Sequence, residues 1–129
     1  MADYKFKGNF RSEKMECHVV LSLISFIEDE VNIIYSPALD LSGYGKTEPE
    51  AKESFQMALN EFIRYTSNKG TFNAELEKMG WKISHKKTHP TYIPPYLDEL
   101  LGKNNYLSEV VRNKDFNKFN QQITIPAFS

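Results

Sequence analysis

Cysteine occurs once in the 129 residues, as Cys17, so the chain forms no disulfide within itself and suits a reducing compartment. Long apolar runs are missing, whereas a membrane span needs about 20 consecutive apolar residues. Met1-Ala2-Asp3-Tyr4 has none of the pattern of a signal peptide, so the expectation is a cytoplasmic protein away from the membrane. Histidine is sparse. His18, His85 and His89 have no spacing suited to a metal ion, and His18 reads as a structural residue within a strand. The short run Gly43-Tyr44-Gly45-Lys46 lacks the glycine spacing and the Lys-Ser/Thr ending of a phosphate loop; its glycines read as strand-end turn residues. Cys17 and His18 are neighbours in a strand pattern, which turns them to opposite faces and prevents a catalytic pair. Glu28-Asp29-Glu30 reads as a solvated turn rather than a metal site. With no nucleophile, base or metal cluster assembled, the expectation is a protein that is not an enzyme and carries no cofactor.

What is present is enough for a packed core: 40% hydrophobic and 13% aromatic residues argue against wholesale disorder. The length allows one domain, or a compact domain with an extension. The net charge of −1 hides an asymmetry. Up to Trp81 there are nine Lys/Arg against thirteen Asp/Glu, and from Lys82 onward seven against four. That basic second half makes Lys82, Lys86, Lys87, Lys114 and Lys118 candidates for contact with nucleic acid.

The strongest local signal runs from Tyr35 to Gly70. Thr47 has the hydroxyl of a helix N-cap, and Glu50, three residues on, completes a capping box. Pro49 falls in the first turn, where its missing N–H costs nothing, and Glu48 and Glu50 suit the positive end of the helix dipole. Ala51, Phe55, Ala58, Leu59 and Phe62 then recur on one face, and Asn68-Lys69-Gly70 is a stop signal. Before this helix, Cys17–Ile27 is a β-prone run with both faces apolar, Val20, Ile24 and Phe26 on one and Val19, Leu21 and Leu23 on the other. Such a pattern belongs to a central strand or to one in a subunit interface. Val31–Tyr35 and Ser42–Lys46 follow as strands, spaced so closely that the three form an antiparallel meander.

After the helix, Thr71 starts a second helix over Phe72–Met79, with Phe72, Leu76 and Met79 on one face and Gly80 at its end. Trp81-Lys82-Ile83-Ser84 alternates as a fourth strand. The expected fold is α+β: a two-layer sandwich in which a β-β-β-α-α-β antiparallel sheet carries a helix on one face, followed by a C-terminal extension. Residues 1–16 are an N-terminal arm, either disordered or an edge strand; residues 17–84 are the core; residues 85–129 are the extension. Within the extension, Lys86–Pro95 reads as a linker or extended arm, Pro95–Leu101 and Tyr106–Arg112 as short helices, and Gln121–Pro126 as a last strand. That strand either completes its own sheet or crosses to a second subunit. The two-faced first strand and the isolated last one point to a homodimer.

The loop and helix start resemble the HicB family of bacterial antitoxins. That family carries an aromatic at the end of its second strand, a proline-hydrophobic loop, a glycine, and a Gly-x-Thr-x-x-Glu-Ala helix start. The corresponding features are Tyr35, Pro37-Ala38-Leu39-Asp40-Leu41, Gly43, and Gly45-Lys46-Thr47-Glu48-Pro49-Glu50-Ala51. The resemblance covers Cys17 to Ile83, with departures: Tyr44 stands where a cysteine is usual, Lys46 where an Asp is, and no ribbon-helix-helix or helix-turn-helix module follows. The resemblance implies a non-catalytic fold similar to a partial ribonuclease H sheet without its acidic cluster. It also implies a partner, a small HicA-type, RNA-cleaving toxin whose active site the family covers. Many members also repress their own operon through a DNA-binding part.

On that reading the partner contacts centre on Tyr35, Pro37, Leu39, Asp40 and Tyr44. Leu39 and Tyr44 are the anchors, and Asp40 either caps a turn or pairs with a basic residue of the toxin. A second reading is a stand-alone RNA-binding protein that uses the basic half, with Lys82, Lys86, Lys87, Lys114 and Lys118 on the phosphates.

Overall fold

The computed structural model describes residues 15–84 and 91–127. Most of the N-terminal arm, together with His85, Lys86, Lys87 and His89, lies outside these residues. Among the described residues the chain runs β1 (Met15–Glu28), β2 (Val31–Ser36), β3 (Leu41–Gly45), α1 (Glu48–Lys69), α2 (Phe72–Lys78), β4 (Lys82–Ser84), β5 (Thr91–Ile93), α3 (Leu97–Leu101), α4 (Asn105–Asn113) and β6 (Phe116–Ala127). The expected α+β sandwich is present: a four-stranded antiparallel sheet in the order β3-β2-β1-β6, with α1 packed on one face.

The strand in the fourth place is not the expected one. Lys82–Ser84 pairs instead with Thr91–Ile93, part of the stretch expected as a linker, in a separate two-stranded sheet. The place beside β1 is filled by β6, which pairs with β1 along its whole length, from Met15↔Ala127 to Phe26↔Phe116. Three residues at β4 offer few ladder bonds; twelve at β6 span the long central strand. Within the chain, then, the last strand completes its own sheet.

The local signals explain the elements. At the β1–β2 hairpin, Asp29 and Glu30 both have positive φ, 52° and 67°, the backbone of the tight two-residue turn that matches strand twist. Thr47 accepts from the Glu50 N–H at 3.3 Å, and Glu50 reaches back to the Lys46 N–H at 2.9 Å, one residue beyond the usual capping-box donor. Gly70 ends α1 at φ 70°.

The two glycines near β3 serve close approach rather than turning. A Cβ on Gly43 would lie 2.2 Å from the Phe55 backbone nitrogen and 2.4 Å from the Ala51 carbonyl oxygen. One on Gly45 would lie 2.6 Å from the Ala51 nitrogen. β3 therefore sits directly against the backbone of α1, a contact open only to residues without a side chain. The Tyr44 N–H completes the junction by donating to Ser54 Oγ on α1 at 3.1 Å.

Alternation along β1 separates two apolar clusters. Val19, Leu21 and Leu23 join Ile34, Phe55, Leu59, Leu76, Trp81, Ile123 and Ile125 under α1 and α2. Ile24 and Phe26 join Ile33, Tyr35, Leu107 and Val110 under α4. Both faces of β1 are covered as the pattern predicts, except at Val20, which is 56% exposed, and at Ile27, which is 61% exposed.

Candidate partner-binding surface

Tyr35, at the end of β2, is buried on the α4 side of the sheet. Its hydroxyl donates to Asp40 Oδ1 at 2.7 Å and accepts from Asn104 Nδ2 at 2.7 Å. Burial pushes its phenol well above the ordinary tyrosine value, and donation to Asp40 pushes it the same way, while the bond from Asn104 opposes them. Tyr35 is accordingly a neutral donor at physiological pH, suited to holding a structure and not to moving a proton.

Asp40 ends the loop that follows β2. Its φ of 54° is positive, a conformation that Asp tolerates better than most residues. Its N–H donates to the Ser36 carbonyl at 2.7 Å, and the Leu39 N–H donates to Ser36 Oγ at 3.3 Å. Pro37, Ala38 and Leu39 are buried. The Trp81 indole N–H donates to the Ala38 carbonyl at 2.8 Å, pinning the loop from beneath. Of the residues expected to meet a partner, Tyr35, Pro37 and Leu39 thus pack inside the chain. Asp40 and Tyr44 are exposed. One Asp40 oxygen accepts from Tyr35, and a carboxylate has a second with which to accept.

Asn104 joins the two halves of the chain. Its Oδ1 caps α4 by accepting from the Leu107 N–H at 3.0 Å while its Nδ2 reaches Tyr35. The cap sets Tyr106 over Tyr35, edge to face, with ring centres 5.1 Å apart, and 6.3 Å from the Phe26 ring. Tyr106 remains 40% exposed and Tyr44 58%. The Tyr106 phenol is raised first by burial, then by the Glu28 carboxylate and the Tyr44 phenol. The result is a surface with two half-open tyrosines, Tyr44 and Tyr106, bordered by Glu28 and Asp40. Sequence reasoning missed Tyr106, Asn104 and Glu28. The cap signal of Asn104 ahead of Leu107 and Val110 was legible; its bond to Tyr35, 69 residues away, was not.

The basic candidates lie on separate elements. Lys82 is exposed on β4, and Lys118 is exposed on β6, opposite Ile24. Lys114, after α4, pairs with Glu28 at 3.4 Å. Beside it is a cleft of about 530 Å³ lined by Asn32, Glu48, Asn113, Asp115 and Phe116, a mixed surface rather than a basic one. Among the described residues no group of three or more His, Cys, Asp or Glu converges on a point that would hold a metal ion, and no helix is long and apolar enough to cross a membrane. No protein-family model, no curated protein and no solved structure matches the chain.

Proposed function

We propose that the chain is a HicB-like antitoxin: a bacterial, cytoplasmic, non-catalytic protein that binds and masks a small HicA-type, RNA-cleaving toxin. The observation that carries this reading is the Tyr44–Tyr106 pair, half exposed over the buried Tyr35, with the exposed Asp40 carboxylate bonded to Tyr35 and the Glu28 carboxylate, paired with Lys114, near Tyr106. A protein that cleaves RNA presents basic groups to the phosphates. A surface of aromatic anchors and carboxylates complements it, the aromatics supplying affinity and the charges orientation and rate. Asp40 pairs with a basic residue of the toxin and Tyr44 is the anchor. Tyr35, Pro37 and Leu39 act from beneath, fixing the loop that presents them. The test is protection of RNA from cleavage by a small HicA-type toxin. The wild-type chain is expected to abolish cleavage at equimolar ratio, and Asp40→Lys to lose that protection while keeping its fold. Equal protection by both proteins contradicts the assignment of Asp40.

A second reading, an RNA-binding protein, draws on the open half of the same sheet face, where His18, Lys118, Asn120, Gln122 and Thr124 form an exposed polar row. It requires binding that weakens steeply with salt as counterions are released, and that is lost in Lys82→Glu/Lys118→Glu. Salt-insensitive or absent RNA binding removes it.

A further inference from the structure

The two edges of the main sheet are protected very differently. β3 is five residues long, and its Tyr44 N–H is taken by Ser54 of α1. β6 is twelve residues long, and among the described residues only one of its sides is paired, in the order β3-β2-β1-β6. Its register with β1 runs without interruption, so no bulge twists it away. Lys118 is its one charged residue. Long, straight, nearly uncharged edges are what single-chain sheets avoid, because every second residue turns its N–H and C=O outward to wait for another strand.

We propose that the occupant of this edge is a second copy of the chain, with β6 pairing antiparallel to its symmetry mate across a two-fold axis at Gln121, so that two sheets become one. The side-chain pattern selects this occupant. With Gln121 opposite itself, Phe119 of each copy faces Ile123 of the other, and Asn120 faces Gln122. Ile123 is buried in the α1-side core, and Phe119 packs against that core. The symmetric pairing therefore joins the two cores through aromatic–β-branched cross-strand pairs, which are favourable ones. The lone charge is accommodated too, because Lys118 falls opposite Thr124 and not opposite its own copy. On the same side α1 borders the joint: Gln56 accepts from Gln121 at 3.4 Å and the Lys52 ammonium lies 5.0 Å from the centre of the Phe119 ring. The pairing is independent of the masking role, since Tyr44 lies on β3, the opposite edge of the sheet, and Tyr106 stacks on Tyr35 of β2.

The test is sedimentation of the full chain across a dilution series, since the population of a dimer depends on protomer concentration, together with two charge variants at the exposed positions 120 and 122. Asn120→Lys/Gln122→Lys sets like charges opposite each other across the axis, and is expected to sediment as a monomer. Asn120→Glu/Gln122→Lys sets opposite charges there and is expected to remain a dimer. Hydrogen exchange on the wild type provides a readout that does not depend on the variants folding: alternate β6 amides are expected to lose protection on dilution. A monomeric wild type, a dimer indifferent to both charge patterns, or β6 protection that does not change with concentration overturns the proposal.

Discussion

The two faces of the sheet are built on different physics. On the α1 face a 22-residue helix with a hydroxyl cap, a proline in its first turn and a left-handed glycine stop lies over a continuous apolar core. Its contact with β3 is so close that two glycines are needed. On the other face the nine-residue α4 covers a smaller cluster of Ile24, Phe26, Ile33, Tyr35 and Phe116. It is held by the Tyr35 hydroxyl, which donates to Asp40 and accepts from Asn104, as well as by apolar contact. The difference teaches a division of labour. The α1 face holds the fold together through burial, which is non-directional and large. The α4 face positions side chains through directional bonds, which contribute less but fix geometry, and Tyr44 and Tyr106 stay half exposed on it.

The comparison breaks most visibly at Phe55, which is 1% exposed under α1. Phe55→Ala is expected to cost about 3–5 kcal/mol in a denaturant titration and to destabilise the whole molecule. A loss confined to α1, with the rest still folding cooperatively, would show that this face is not the common core. The next largest effect is expected at Gly43. Gly43→Ala forces β3 and α1 apart and should cost about 1–3 kcal/mol, the range for overpacking. An unchanged midpoint would show that the strand and helix are not in backbone contact.

Tyr35→Phe sharpens the other side. It removes a hydroxyl that bonds Asp40 and Asn104, for about 1–3 kcal/mol, and native-state hydrogen exchange should show the loss concentrated in α4 rather than α1. It also carries a pH signature. The folded phenol is raised by burial and by its bond to Asp40, whereas an unfolded tyrosine ionises near pH ~10. The stabilisation that follows from keeping Tyr35 neutral is full below about pH 10 and is lost as pH rises through the higher folded value. Alkaline titration of stability should therefore fall less steeply in Tyr35→Phe than in the wild type. Identical alkaline limbs would mean that Tyr35 ionises as freely folded as unfolded.

How much of this was legible in the sequence follows the range of the interactions. α1 was readable because Thr47, Pro49, the Ala51–Phe55–Leu59 stripe and Gly70 are local signals that need no partner. The meander β1–β3 was readable for the same reason, its turn residues lying beside the strands they join. β6 was only partly visible: Asn117–Gln122 is too polar to announce a strand, and its pairing with β1 is set by contacts about a hundred residues apart. Trp81-Lys82-Ile83-Ser84 alternates like a sheet strand, yet Trp81 is spent on the Ala38 carbonyl and the strand it leads pairs elsewhere. The candidate surface suffered most. Pro37 and Leu39 look like exposed apolar loop residues when read locally, and only the folded chain shows Trp81 over the loop. Asp40 was legible as a turn residue, since it closes the turn after β2 with a positive φ. Tyr44 was a candidate through the resemblance alone; that it turns away from α1 emerges only in the structure, because its flanking glycines read locally as turn residues and not as contacts with a helix.

The central claim is that the α4 side of the sheet, and not the α1 side, meets the partner. Each side carries a large exposed apolar residue, Tyr44 on the first and Met57, 66% exposed, on α1. The most direct measurement is calorimetric titration of a small HicA-type toxin, the partner proposed for this chain, into the wild type, Tyr44→Ala and Met57→Ala. Tyr44→Ala is predicted to weaken binding by about thirtyfold or more, the effect of losing a hot spot of about 2 kcal/mol, and Met57→Ala to leave it unchanged. Unaltered binding by Tyr44→Ala, or a loss confined to Met57→Ala, would contradict the account.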